Sequence, residues 1–200
     1  KLWKTKRHSG KLLFELNHRY LFEGTETRTI PLTGLLDPLS PNWTHYYLVG
    51  KDKVEGLFPA ANILTQNVTV RPGNQVDSIL MLAFKSKNFL IDLGYNLFFK
   101  EADSVTLKNK WVDKTYGIAN KDHEANTVFD ITGDTGAVIN SENLNINGAA
   151  TPTYLTNKVF GSIGYKYNIS EYPASVAVGG SYEFANSNQE FEQYAVWLKM

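Results

Sequence analysis

VDSILMLAFKSKNFLIDLGYNLFFKE, residues 76–101, is the stretch whose reading decides the fold. From Phe89 every second side chain is large and apolar (Phe89, Ile91, Leu93, Tyr95, Leu97, Phe99), and between them stand Leu90, Asp92, Gly94, Asn96, Phe98 and Lys100. The run before it has the same arrangement, with Ser78, Leu80, Leu82 and Phe84 alternating with Asp77, Ile79, Met81, Ala83 and Lys85. Successive side chains of a strand point to opposite faces, so each run predicts a strand with one apolar and one mostly polar face. Ser86-Lys87-Asn88 joins them as a hairpin turn. Each run has the length a tilted strand needs to cross a bilayer, roughly 9 to 11 residues. The expectation is a membrane-spanning β-hairpin.

The alternation returns on either side. Residues 11–23 (KLLFELNHRYLFE) set Leu12, Phe14, Leu16, His18, Tyr20 and Phe22 against Leu13, Glu15, Asn17, Arg19 and Leu21. Residues 153–168 set Leu155, Val159, Gly161, Ile163, Tyr165 and Tyr167, with Asn157 among them, against Lys158, Phe160, Ser162, Gly164 and Lys166. Residues 174–184 set Ala174, Val176, Val178, Gly180, Tyr182 and Phe184 against Ser175, Ala177, Gly179, Ser181 and Glu183. Residues 191–200 close with Tyr194, Val196, Leu198 and Met200 opposite Gln193, Ala195, Trp197 and Lys199. A partial strand ends at Lys6, before a turn at Arg7-His8-Ser9-Gly10. A further polar turn is expected at 185–190.

Two segments do not alternate. Residues 24–75 carry prolines at 31, 38, 41, 59 and 72, which argue against continuous central strands. Short apolar pieces at 45–49 and 63–70 leave room for one more hairpin there or for a loop that folds inward. Residues 102–152 are rich in Asn, Asp, Thr and Gly and read as a long surface loop, with 104–112 extending a strand. The expected organisation is one domain over 1–200 with long loops at 24–75 and 102–152.

Composition removes other classes. Twenty basic residues balance 20 acidic ones, so the electrostatic footprint of a nucleic-acid-binding protein is absent. There is no cysteine, hence no disulfide scaffold or thiolate metal site. No apolar run approaches the roughly 18 residues of a membrane helix, so any crossing is made by strands.

The segments LIDLGYNLFFKE (90–101), VFGSIGYKY (159–167) and SVAVGGSYEFANSNQEFEQYAVWLKM (175–200) resemble those of bacterial outer-membrane β-barrel proteins. The resemblance implies an antiparallel up-and-down transmembrane β-barrel with short periplasmic turns and long external loops. It implies lipid as one partner and the barrel assembly machinery as another, and leaves homo-oligomerisation open. Leu12, Phe14, Leu16, Leu80, Leu82, Phe84, Ile91, Leu93, Tyr95, Leu97, Val176, Val178 and Tyr182 would then face lipid. Glu15, Arg19, Asp77, Lys85, Asp92, Asn96, Lys100, Lys158, Lys166, Glu183 and Lys199 would line a polar lumen. Short turns would be periplasmic, with Lys11, Phe89 and Ala174 opening upward strands. Tyr20, Phe22, Tyr95, Phe99, Tyr165, Tyr167, Tyr182 and Phe184 are expected as an aromatic girdle at the outer strand ends. Such barrels close with an even number of strands and end in an aromatic residue. The expectation is therefore at least one upward strand before Lys1 and a short tail ending in an aromatic residue after Met200.

The expected function is a passive diffusion pore or a structural envelope protein of the outer membrane. The alternative is a soluble ligand-binding barrel or sandwich, and adhesion through 102–152 can accompany the first reading. No catalytic residue, metal site or cofactor is expected. Asp122-His123-Glu124 with Asp130 and Asp134 lacks the EF-hand spacing and reads as solvated loop charge. Gly161-Ser162-Ile163-Gly164 lacks the spacing of a nucleophile elbow, though His18 with Ser162 or Ser181 remains a conceivable hydrolase pair. His18 itself reads first as an interfacial residue.

Overall fold

The computed structural model describes residues 2–5, 7–35, 41–185 and 192–200. In chain order the strands are β1 (Trp3–Lys4), β2 (His8–Arg19), β3 (Gly24–Thr29), β4 (Leu48–Lys51), β5 (Leu57–Pro59), β6 (Thr65–Arg71) and β7 (Gln75–Ser86). There follow β8 (Phe89–Lys100), β9 (Ser104–Leu107), β10 (Tyr116–Ala119), β11 (Thr135–Ile139), β12 (Tyr154–Ile169), β13 (Tyr172–Ala185) and β14 (Gln193–Lys199). A single helical turn, α1 (Ala61–Leu64), leads into β6. The described chain is all-β, and its strand pairings are antiparallel. It divides into two compact units, Lys1–Leu21 with Gly73–Ala102 and Pro152–Met200, and Phe22–Pro72 with Asp103–Thr151.

The first unit is one seven-stranded sheet, ordered β1-β2-β7-β8-β12-β13-β14. Its main strands run 12 residues in β2, β7 and β8, 16 in β12 and 14 in β13. Two hairpins turn on two residues each, Lys87-Asn88 and Ser170-Glu171. Lys87 (φ 50°) and Ser170 (φ 56°) adopt the left-handed backbone that matches a tight hairpin to the twist of its strands. The outermost strands, β1 and β14, have no second neighbour among the described residues, so the described sheet is open rather than a closed barrel.

The strand boundaries differ from expectation in two places. Residues 8–10 belong to β2 rather than to a turn, and Leu2, Trp3 and Lys4 fold back on them. Gly10 permits this, because the Trp3 ring occupies the space a Cβ would fill there. At its other end β2 stops at Arg19, so Tyr20 and Phe22 lie beyond the strand. The expected turn at 185–190 and the start of the last strand at Phe191 fall, apart from Ala185, outside the described residues, as does Lys6.

The second unit corrects the loop reading of 24–75 and 102–152. These segments fold into a four-stranded sheet, β11-β10-β4-β5, and a three-stranded sheet, β3-β6-β9. Val68 and Val70 of β6, Val105 of β9, Val49 of β4, Ile118 of β10 and Ile139 of β11 turn inward with Ile30, Leu32 and Leu64 as a buried core. Every buried hydrophobic residue among those described belongs to this unit. Each fully buried Val, Leu, Ile or Phe among them contributes roughly 1.5–3 kcal/mol by leaving water. Proline fits within this pattern: Pro59 lies in β5, an edge strand, where its missing N–H interrupts no ladder. The alternation was hard to read because these strands are three to seven residues long.

Candidate functional site

The candidate site is the pair of faces of the seven-stranded sheet. Register carries one row across six strands as Leu12, Leu82, Leu93, Gly161, Gly180 and Val196. The rows on either side are Phe14, Leu80, Tyr95, Val159, Tyr182, Tyr194 and Gly10, Phe84, Ile91, Ile163, Val178, Leu198. Leu16, Leu97 and Val176 lie on the same face. All residues expected to face lipid therefore share one face, and within the strands β2, β7, β8, β12, β13 and β14 that face carries no Asp, Glu, Lys or Arg, although the Glu192 carboxylate, just before β14, accepts from the Tyr182 hydroxyl at 2.9 Å. It is open to solvent: Phe14 is 66% exposed, Leu93 58% and Val178 48%.

Three polar side chains on this face, Tyr95, Asn157 and His18, are paired. The Tyr95 hydroxyl donates to Asn157 Oδ1 across the strand pair, and His18 Nε2 is 3.1 Å from Asn74 Oδ1. His18 thus stands on the face opposite Ser162 and Ser181, and register keeps it from either. The aromatic girdle is redistributed. Tyr165 pairs with Phe89, so Tyr165 and Tyr167 lie at the short-turn end, opposite the end that holds Phe99 and Phe184. The reason is direction: β12 runs antiparallel to β8, so its C-terminal residues meet the start of β8. Aromatic side chains consequently flank the aliphatic rows at both ends, and Phe89 meets Tyr165 edge to face at 5.1 Å.

The residues expected in a lumen share the other face. Toward the Arg19 end they interlock with both signs of charge. Arg19 Nη2 is 3.8 Å from Asp77, and Asn96 donates to Asp77 and, at 3.1 Å, to the Ser78 carbonyl. Lys158 Nζ is 2.6 Å from Glu183, which also accepts from Gln193 at 3.0 Å. Asn17 donates to Glu15 at 2.9 Å; nearer the short turns, in the row next to that of Lys85, Ser162 donates to Asp92 at 3.3 Å. Lys100, 8% exposed, holds its ammonium 5.9 Å above the Tyr154 ring. Asp77, Asn96, Phe98, Tyr154, Thr156 and Glu183 line a shallow concavity of about 270 Å³. Tyr154 and Thr156 were missed from sequence, although the even-numbered parity of β12 runs through both. Toward the short-turn end the same face carries Lys85, Lys166 and Lys199. Lys4, Arg7 and Lys87 gather near Lys85, a grouping that no local spacing reveals.

In the second unit the suspected acidic loop is an internally bonded turn. Asp130 binds Lys53 and accepts from the backbone and hydroxyl of Thr132, while Asp134 accepts from the Asp130 N–H at 2.7 Å. His123 Nδ1 is 3.4 Å from Asp134 Oδ1, and the described residues form no cluster of three metal-ligating side chains. Hydrogen bonding by Lys53 and Thr132 holds the Asp130 carboxyl far below the usual carboxylate range. A depressed folded-state pKa gives stability that is present above the ordinary Asp value and lost as pH falls toward the folded one. Acid titration of the second unit, followed by tryptophan fluorescence of Trp111, is therefore expected to show a flatter pH dependence in Asp130→Asn than in the native chain.

Comparison with protein-family models, curated proteins and solved structures returns no match for this chain.

Proposed function

We propose that the seven-stranded sheet forms the wall of a bacterial outer-membrane β-barrel, and that the protein serves there as a passive diffusion pore or structural envelope protein. The observation that carries this reading is the exposed apolar face: long strands, three aliphatic and aromatic rows interrupted only by glycine, and no Asp, Glu, Lys or Arg within the strands β2, β7, β8, β12, β13 and β14. Soluble monomers rarely expose contiguous apolar patches beyond a few hundred Å². A bilayer accepts such a face, provided that backbone groups are paired, because hydrocarbon supplies no hydrogen-bond partner. The edge of β2 beyond its two-residue pairing with β1, and the outer edge of β14, would accordingly be closed by neighbouring strands in the membrane.

The soluble barrel or sandwich is the weaker reading. It requires the apolar face to enclose a core, whereas the buried core of the described residues lies in the second unit. The polar face supports a hydrated lumen through its mixed charges and amides. The two inserted segments leave and re-enter the sheet at the Arg19, Gln75, Lys100 and Tyr154 row, opposite the two-residue turns. This alternation of tight turns and large excursions fits short periplasmic turns and a folded external unit.

Alkaline carbonate washing of membranes from an expressing strain tests the reading. The protein is expected to stay in the pellet and enter solution only with detergent. Release into the aqueous fraction without detergent overturns the membrane assignment. Stepwise conductance in planar bilayers then separates a pore from a closed structural barrel.

A further inference from the structure

We infer that the short-turn end of the polar face is a binding site for a phosphate-bearing anion. Lys4, Arg7, Lys85 and Lys87, with His8 and Asn88, line an open concavity of about 550 Å³. Two features of the fold assemble it. Lys4 pairs with Ser9, and Ser9 with Lys85, so both lysines stand in one row of the sheet. The Lys87 N–H donates to the Arg7 carbonyl at 2.8 Å, which ties the 85–88 hairpin to the first turn and brings their cations together.

The charge is uncompensated. No carboxylate lines the concavity, and none of its four cations makes an ion pair among the described residues. Arg19 and Lys158 on the same face, by contrast, each meet a carboxylate. Like charges gathered in a concave surface repel one another and focus a positive potential on the space between them, which a bound anion relieves. The donor set selects among anions. A guanidinium presents a planar fork matched to phosphate oxygens, and ammonium groups add mobile point charges. The volume admits a phosphate together with the group that bears it. Such a ligand is either a soluble phosphorylated compound or a lipid headgroup.

The site rests on the geometry of this sheet end alone, so its failure leaves the membrane reading untouched. The test uses the full chain, folded in a non-ionic detergent, titrated calorimetrically with pyrophosphate at low salt. The native chain is expected to bind, and Lys85→Gln/Lys87→Gln or Arg7→Gln to weaken binding at least about tenfold, the loss of one or more charge-assisted contacts. Lys110→Gln/Lys121→Gln, which removes two exposed charges elsewhere, is expected to leave it unchanged. A second arm compares retention on phosphatidylcholine vesicles with and without phosphatidylglycerol. Binding lost in the Lys85/Lys87 variant only on the anionic vesicles identifies a headgroup ligand; loss in the pyrophosphate arm identifies a soluble one. No binding in either arm, or equal weakening by the Lys110/Lys121 control, overturns the site. Circular dichroism confirms that each variant is folded, and the two independent variants guard against a failure to fold in one.

Discussion

Arginine in place of Leu93 or Val178 is expected to abolish stable membrane insertion, whereas arginine in place of Asn96 or Ser181 is tolerated. Leu93 and Val178 sit in adjacent rows of the uncharged face. Asn96 and Ser181 lie on the opposite face, where Asn96 neighbours Asp77. An arginine on the lipid face near the bilayer midplane costs about 2–4 kcal/mol, while a hydrated lumen solvates the same group. That is a large share of the stability of an ordinary domain, about 5–15 kcal/mol. Heat-modifiable gel mobility of the four variants reads the result. Equal effects on both faces, whether loss or tolerance, would contradict the assignment of one face to lipid and the other to a hydrated lumen.

Phe129→Ala is expected to unfold the second unit while leaving the seven-stranded sheet intact. Phe129 is fully buried, its ring lies where a Cβ on Gly50 would stand, and its backbone bonds to Val54 and Lys53 at 3.0 and 2.8 Å. It also meets His123 edge to face at 5.3 Å. Emptying such a site costs about 3–5 kcal/mol through lost transfer energy and the residual cavity. The open population, and with it trypsin cleavage at Arg28 and Lys51 inside β3 and β4, should rise on the order of 100-fold or more. Cleavage of the native chain at those two bonds as fast as in the variant would show that the inserted segments have no stable core.

What was legible in the sequence depended on strand length. In β2, β7, β8, β12 and β13, 12 to 16 residues repeat the alternation often enough to assign each side chain a face. The observed register keeps Leu93 beside Leu82 on one face and Asp92 beside Ser162 on the other, consistent with the faces the alternation assigned. A period of two is a local property of extended backbone, so no knowledge of partners was needed. Three things came only with the tertiary structure. One was the second unit: β4, β5, β9 and β10 offer three or four residues each, too few for a pattern, and their burial comes from pairing residues far apart in the chain, as Val49 does with Ile118. Another was the pairing of Tyr165 with Phe89 across β12 and β8, which spacing along either strand does not give. The last was the cationic concavity, because Lys4 and Arg7 meet Lys85 and Lys87 only when β1, β2 and β7 lie side by side. Alternation is written residue by residue along one strand, whereas these features arise where distant strands meet, and only pairing in three dimensions decides which strands those are.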